Sequence, residues 1–470
     1  MPRRATLLPI LRTLVASVHI PLTPPSFDTL ITECIGSDPQ KFSEILSSSI
    51  PPDPRGKYYH WDKLRHLKTP PNNLSHKEWW LGTKFARKSL YSSIPHTAKD
   101  GTPFVFAEPN VVRSLLHEID FYGGGELRTS SQVANPNTRD TYLINSLIEE
   151  AITSSQLEGA ATTRKVAKEM LRQKRAPTDK SERMIVNNYN AMEYINDVAG
   201  EDLTPSLILE LHRILSKDTL ENPEAEGSLR TSDEIYVGDE RASTVIHVPP
   251  SHKELPERLE SICKFANASN QRGFIHPVIR AVVLHFLLAY DHPFEDGNGR
   301  TARALFYWSM LRQGYWTMEF VSISRILNNA PAQYTRSYLY TETDDNDVTY
   351  FILHQLEVIL RAIQDLFAYL KRKSEEMESL ERLVKRSSKL QQALNYRQMA
   401  ALSRAVKNAD SVFTVESHRG AHNVTYDTAR TDLLKMAEIG VLTKSKVGRA
   451  FVFRPARNLS KQLRAFDGTR

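Results

Sequence analysis

The chain has 470 residues, 40% hydrophobic and 25% charged, which suits a soluble protein of two or three domains, each with its own core. Its longest apolar runs, such as Val282 to Tyr290, fall well short of the ~20 residues a membrane-spanning helix needs, so no membrane partner is expected. The two cysteines, Cys34 and Cys263, lie far apart and form no metal-type cluster, and a reduced, cytoplasmic compartment is the simple reading.

The net charge of +6 is unevenly spread. From Ser388 to Arg470 there are 15 Lys and Arg against 6 Asp and Glu, a local +9, while the rest of the chain carries about −3. That asymmetry suggests an acidic partner for the C-terminal end, and nucleic acid is the obvious one.

The first acidic residue is Asp28, and Arg3, Arg4 and Arg12 precede it among Leu, Val and Ile. An Arg-rich, acid-poor start resembles a transit peptide. A loosely ordered extension broken by Pro21, Pro24 and Pro25 is the reading preferred here. Residues 1–125 read as an N-terminal subdomain, with Trp61, Trp79, Trp80 and Phe104 for a small core. Gly123-Gly124-Gly125 marks a flexible joint.

From about Asp140 the pattern is helical. Leu143, Leu147, Ile148 and Ile152 recur at three- and four-residue spacing, and this helix runs to a natural stop at Gly159. Further helices are predicted over 163–173, 181–197 and 205–217. Between Arg230 and Pro250, Ile235, Val237, Val245, Ile246 and Val248 flank the polar turn Gly238-Asp239-Glu240, which predicts a β-hairpin. Helices follow over 252–268, 277–290 and 298–312, and a long one over 350–373. Residues 371–389, dense in Lys, Arg and Glu, read as a solvated linker helix before a small domain that begins near Leu390.

One segment, Asp291-His292-Pro293-Phe294-Glu295-Asp296-Gly297-Asn298-Gly299-Arg300-Thr301-Ala302-Arg303, carries the chemistry. It is a loop feeding a helix. Gly297 and Gly299 permit unusual backbone angles and close approach, and N–H groups at a helix start form an anion site. Arg300 and Arg303, three apart, are expected on one helix face, where two guanidiniums suit a polyphosphate. Asp296 beside them suits a Mg²⁺ that bridges phosphates. His292, at the loop entrance, suits a general base.

Taken one at a time, these features are commonplace: a lone His is more often structural, and paired Arg are usually a solvated face. Their conjunction resembles the motif of the Fic family, His-x-Phe-x-(Asp or Glu)-Gly-Asn-Gly-Arg-x-x-Arg, at every position from His292 to Arg303. His276-Pro277-Val278 and the 232–248 hairpin extend the likeness over about 140–370. The resemblance implies a mainly α Fic helical fold with a short β-hairpin flap, occupying 126–375. It implies AMP transfer from ATP, with Mg²⁺, to a Ser, Thr or Tyr hydroxyl of a target protein.

It also implies roles. His292 would deprotonate the hydroxyl and Asp296 would hold Mg²⁺. Gly297, Asn298 and Gly299 would cradle the α- and β-phosphates, Arg300 would bind the phosphate tail, and Arg303 the γ-phosphate. Tyr334 would border the adenine, although the family's Tyr-Tyr pair reads Tyr334-Thr335 here. The flap, Ile235, Tyr236, Val237, Ile246, His247 and Val248, would dock the target. Ser154-Ser155-Gln156-Leu157-Glu158-Gly159 resembles the family's inhibitory pattern (Ser or Thr)-x-x-x-Glu-(Gly or Asn). In that reading Ser154, Glu158 and Gly159 end an inhibitory helix of about 141–158, and Glu158 takes the ion pair that a γ-phosphate would make with Arg303. Related enzymes often pair, so a homodimer is a further expectation.

Residues 388–470 read as a winged helix-turn-helix: a helix near 391–407, a turn with Ser417, His418, Gly420 and Asn423, a helix near 425–439, and a basic wing around Val447-Gly448-Arg449. Arg430, Lys435, Lys444, Lys446 and Arg449 would contact DNA phosphates; a protein-docking module is the alternative. Rival readings of the whole are a Fic enzyme that uses another nucleotide or removes AMP, and a DNA-binding regulator whose Fic core senses nucleotide. No P-loop signature occurs.

Overall fold

The computed structural model describes residues 19–123, 136–239, 244–268, 273–407, 411–447 and 450–468. The chain is mainly helical. It begins with α1 (Phe27–Ser37), α2 (Pro39–Ser47), α3 (Trp61–Leu64) and α4 (His76–Lys88), then a two-stranded sheet of β1 (Ser92–Thr97) and β2 (Pro103–Phe106), and α5 (Asn110–Gly123). Next come α6 (Pro136–Leu157), α7 (Arg164–Gln173), α8 (Lys180–Val198) and α9 (Pro205–Ser216). A hairpin of β3 (Val237–Asp239) and β4 (Thr244–His247) precedes α10 (Leu255–Ala266), α11 (Pro277–Asp291), α12 (Asn298–Arg312), α13 (Ile323–Asn329), α14 (Pro331–Thr343) and α15 (Thr349–Arg386).

The chain divides into two compact units, the first built from residues up to 126 together with 143–364. The sequence boundary at residue 125 is therefore not where compactness ends, and buried charges give the reason. Lys84 on α4 reaches Asp344, after α14, at 2.8 Å, and both side chains are buried. Arg87 donates to the Tyr350 hydroxyl at 2.7 Å, and the Tyr58 hydroxyl donates to Asp347 at 2.6 Å. Such groups are costly to bury unless each is paired, and the pairs fasten the N-terminal helices to α14 and α15. Trp61, Trp79 and Trp80 pack with Leu30, Ile45 and Leu64 in a cluster of their own.

At the centre of this unit lie α11 and α12, almost wholly buried, including Val282, Phe286, Leu305 and Trp308. α6 packs Ile148, Ala151 and Ile152 on Ala167, Met170 and Ile185. Helices α13 and α14, and the β1–β2 pair, are absent from the sequence reading. The α14 segment, rich in Tyr and Thr, has modest helix propensity and a weak amphipathic pattern, which hides it. The expected helix and linker of 350–389 form one continuous α15 up to Arg386.

The second unit contains α16 (Ser388–Ala393), α17 (Tyr396–Lys407), β5 (Phe413–Thr414), α18 (Val415–His422), α19 (Tyr426–Glu438), β6 (Leu442–Val447), β7 (Ala450–Pro455) and α20 (Leu459–Asp467). Its sheet order is β5-β7-β6, antiparallel throughout. Leu402, Leu433, Met436, Phe453 and Leu463 form its core. Where the sequence suggested a turn, Ser417, His418 and Gly420 lie in α18, started by a capping box of Thr414 and Ser417. Among the described residues no helix is long and apolar enough to cross a membrane.

Candidate active site

The loop between α11 and α12 is fixed from several sides. His292 ends α11 in the left-handed region, φ 47°, an uncommon state for a residue with a side chain. Asn298 closes the turn: its side-chain oxygen accepts from the Phe294 N–H at 2.9 Å, and its amide donates to the Phe294 carbonyl at 2.8 Å. Phe294 is fully buried and stacks on His212 with ring centroids 3.7 Å apart. His212 donates from Nε2 to the Asp296 carbonyl and accepts at Nδ1 from the Gly227 N–H. Burial lowers its pKa to about 4, so it stays neutral and can play both parts. Arg230 donates through Nε to the His292 carbonyl at 2.9 Å. Asp291 is buried against Arg258 and His96.

This scaffold leaves one ring nitrogen free. His292 Nδ1 lies 3.4 Å from the Ala289 carbonyl, while Nε2 is buried without a hydrogen-bond partner. Burial, then the charge of His247, lowers the pKa of His292 to about 4. The imidazole is thus unprotonated through the physiological range and presents a lone pair, although as a weaker base than free imidazole.

At the other end of the loop, Gly297 has φ 84° and caps α12. The first N–H groups of α12 have no partner within the helix and carry its positive dipole end. Glu158 lies over them. A Cβ built on Gly299 would stand 2.2 Å from Glu158 Oε1, so only glycine fits beneath this carboxylate. Arg303 donates from Nη2 to the same Oε1 at 2.9 Å, and to Ser154 through its hydroxyl at 2.9 Å and its carbonyl at 3.0 Å. Burial opposes the charge of Arg303, but Glu158, Tyr334 and Glu150 together outweigh it, so its pKa is raised.

The end of α6 is built to hold Glu158 there. The Ala160 N–H bonds to the Ser155 carbonyl and the Gly159 N–H to that of Gln156, with Gly159 at φ 91°. This paired arrangement stops the helix with Glu158 at its last turn. Deeper in α6, Glu150 accepts from the hydroxyls of Tyr307, Ser322 and Ser324, which locks the helix to α12 and α13.

A cavity of about 130 Å³ opens between these groups, with His292, Gly299, Arg303 and Glu158 among its lining residues. α14 supplies another wall through Tyr334, Tyr338 and Glu342. The Tyr334 hydroxyl meets His285 Nε2 at 2.7 Å and the Tyr338 hydroxyl at 3.1 Å. The residue beside Tyr334 in this wall is Tyr338, one helical turn on, while Thr335 also lines the cavity; the i, i+4 spacing was the signal for Tyr338. Arg230, His212 and Glu342 carry no comparable sequence signal.

Other expectations change. Arg300 and Arg303, three apart on α12, do not meet one ligand site together: Arg303 turns to Ser154 and Glu158, while Arg300 turns to α9. Arg300 is buried, donates to the Leu215 carbonyl at 2.9 Å, and lies outside the cavity lining, as do Asp296 and Gly297. Asp296 Oδ1 accepts the Gly297 N–H, and Oδ2 stands 3.7 Å from Arg300. The Asn298 side chain is spent on the loop, so only its backbone is open to a ligand. Among the described residues no cluster of three or more His, Cys, Asp or Glu could hold a metal.

Of the flap residues, Val237, Ile246 and His247 line the cavity. Tyr236 and Val248 are exposed, and Ile235 is buried. In the C-terminal unit Arg430 and Lys446 are exposed and Lys444 stands 3.9 Å over the Phe451 ring. Lys435 instead donates to the Ala393 carbonyl of its own unit at 2.8 Å. Arg449 lies outside the described residues, as do Gly124, Gly125, Glu240 and residues 1–18.

Residues 202–310 match the Fic/DOC family, and this segment, with its loop and first turn of α12, is a Fic domain. Curated relatives are named "Protein adenylyltransferase Fic". That of Drosophila melanogaster is 36% identical over 127 residues, 27% of this chain and 24% of its own length. That of Nematostella vectensis is 29% identical over 168 residues, 34% of this chain and 37% of its own. The chain thus spans well under half the length of the curated relatives it matches. A Fic family protein from Desulfovibrio desulfuricans G20 is a structural neighbour, with TM-score 0.48, 17% identity, and coverage of 73% of this chain and 95% of that one.

Proposed function

We propose that this protein transfers AMP from ATP to a Ser, Thr or Tyr hydroxyl of a target protein, and that Glu158 restrains it. The carrying observation is the free Nε2 of His292, set across one cavity from Arg303 and the N-terminus of α12. The hydroxyl oxygen attacks the α-phosphorus of ATP as its proton passes to His292 Nε2; the bond to the bridging oxygen breaks and pyrophosphate leaves. The α12 N–H groups and Arg303 bind the phosphates.

A lone carboxylate fits Mg²⁺, which is commonly held by one or two carboxylates plus substrate phosphates. Asp296 would hold it, and the ion would supply charge neutralisation on the phosphates. Glu158 competes for the same anion site: it occupies Arg303 and the α12 N-terminus at once, and it repels a phosphate. The names of the relatives support the choice of AMP.

The test is to incubate the protein with labelled ATP, GTP, CTP and UTP and follow labelled protein. Label from ATP in excess of the others supports the reading. Label from another nucleotide alone would replace AMP with that group.

For the C-terminal unit we propose duplex DNA as partner. Its helix–strand–helix–helix–hairpin order is that of a winged helix, and Tyr426, Arg430 and Thr431 lie exposed on α19.

A further inference from the structure

On the flap strand itself, His247 reaches into the core. On β4, Val245 is 47% exposed, and Val248 just beyond it is also 47% exposed, whereas His247 is 8% exposed. His247 Nδ1 lies 2.9 Å from Oε2 of Glu342 on α14, and Nε2 lies 2.7 Å from the carbonyl oxygen of Tyr290. The ring thus bridges a carboxylate on α14 and the main chain at the end of α11. A hydrogen bond to a carboxylate is charge-assisted and among the strong ones. The ring also lies against that of Tyr290, with centroids 4.7 Å apart.

Tyr290 is two residues before His292. At the base of the hairpin, Arg230 donates to the carbonyls of His292 and Pro250. Two side chains therefore tie the flap to the turn that carries the free Nε2: Arg230 at the hairpin stem and His247 on the strand itself.

We propose that His247 is a positioning residue for transfer: bridging Glu342 and the Tyr290 carbonyl, it latches β4 to the end of α11. The latch sets the distance from a hydroxyl-bearing chain lying along the flap to His292 Nε2. What the flap presents rests on the transfer reading above; the latch itself does not. His247 follows burial among the causes that lower the pKa of His292.

The test uses full-length protein and the variants His247→Gln, Glu342→Gln and the pair. Glu342→Gln keeps the side-chain size if the histidine variant folds poorly. Three quantities are measured: hydrogen exchange of the 244–248 amides, ATP affinity by calorimetry, and the rate of self-labelling with labelled ATP. Both single variants are expected to speed exchange about tenfold, the double variant no further, because each removes the same bridge. Self-labelling falls about tenfold while ATP affinity stays within about threefold, a split that a space-filling histidine would not produce. Unchanged exchange in both variants overturns the latch. Faster exchange with unchanged labelling overturns the positioning role. A wild-type protein that binds ATP yet labels nothing counts against the transfer reading, and exchange alone then decides the latch.

Discussion

In the proposed scheme His292 and Glu158 do opposite things within one cavity. His292 acts on the incoming hydroxyl and touches no phosphate in this scheme. His292→Ala is therefore expected to abolish self-labelling while calorimetry still registers ATP binding. Retained transfer by the folded variant would remove it from the role of base. In the same scheme Glu158 competes for the anion site. A partly buried pair such as Glu158–Arg303 can be worth a few kcal/mol, and each ~1.4 kcal/mol is tenfold in rate. Glu158→Gly is expected to raise self-labelling tenfold or more on that arithmetic, and the gain should vanish when Arg303 is also replaced. Equal labelling by folded wild type and Glu158→Gly would rule the restraint out. A glutamate that only ends a helix would give unchanged or slightly lower labelling.

At the scale of elements, the site is three helix ends and a flap. α11 ends at His292, α12 begins at Gly297, and α6 ends where Gly159 turns the chain at φ 91°. A side chain in that region costs roughly 1–2 kcal/mol. Gly159→Ala is expected to lower the melting temperature, which calorimetry measures; an unchanged value would mean that the turn relaxes without cost. α14 adds the tyrosine wall. Its absence from the sequence reading has a plain cause: tertiary packing on α11 overrides a weak local pattern. By contrast α9, α11 and α12 were predicted to within a residue or so of their observed ends, since Thr204-Pro205, His276-Pro277 and Gly297 mark helix starts locally.

The molecule as a whole should respond to acid. His60, His212, His292 and His354 are each lowered to about 4, chiefly by burial. The unfolded chain binds these protons at about 6.5, above the folded values, so unfolding takes up protons as pH falls. Stability from these groups is present above about 6.5 and is lost as pH falls toward 4. The melting temperature of the first unit is expected to drop across that window, and His292→Ala should flatten the slope by about one proton. An equal slope would mean that His292 protonates freely in the folded state. For the second unit, binding of full-length protein to duplex DNA is expected to weaken with salt, each phosphate contact adding about −0.9 to the log–log slope. Arg430→Ala should reduce that slope by about one. No binding at low salt would favour the protein-docking alternative.

What the sequence by itself determined lies within short reach along the chain. The run from His292 to Arg303 defines a loop and a helix start, and Ser154 to Gly159 defines a helix end, because turns, caps and helix faces depend on neighbours within a few residues. Only the tertiary structure decided which of these parts meet. Glu158 reaches Arg303 and not another cation because α6 is locked by Glu150 to Tyr307 and Ser324. Arg300 turns to Leu215 and away from the cavity because α9 offers it a carbonyl there. His247 finds Glu342 across 95 residues through packing that no local pattern encodes. A contact between distant segments depends on how whole helices fill space together, and that is settled by the summed burial of α11, α12 and α14.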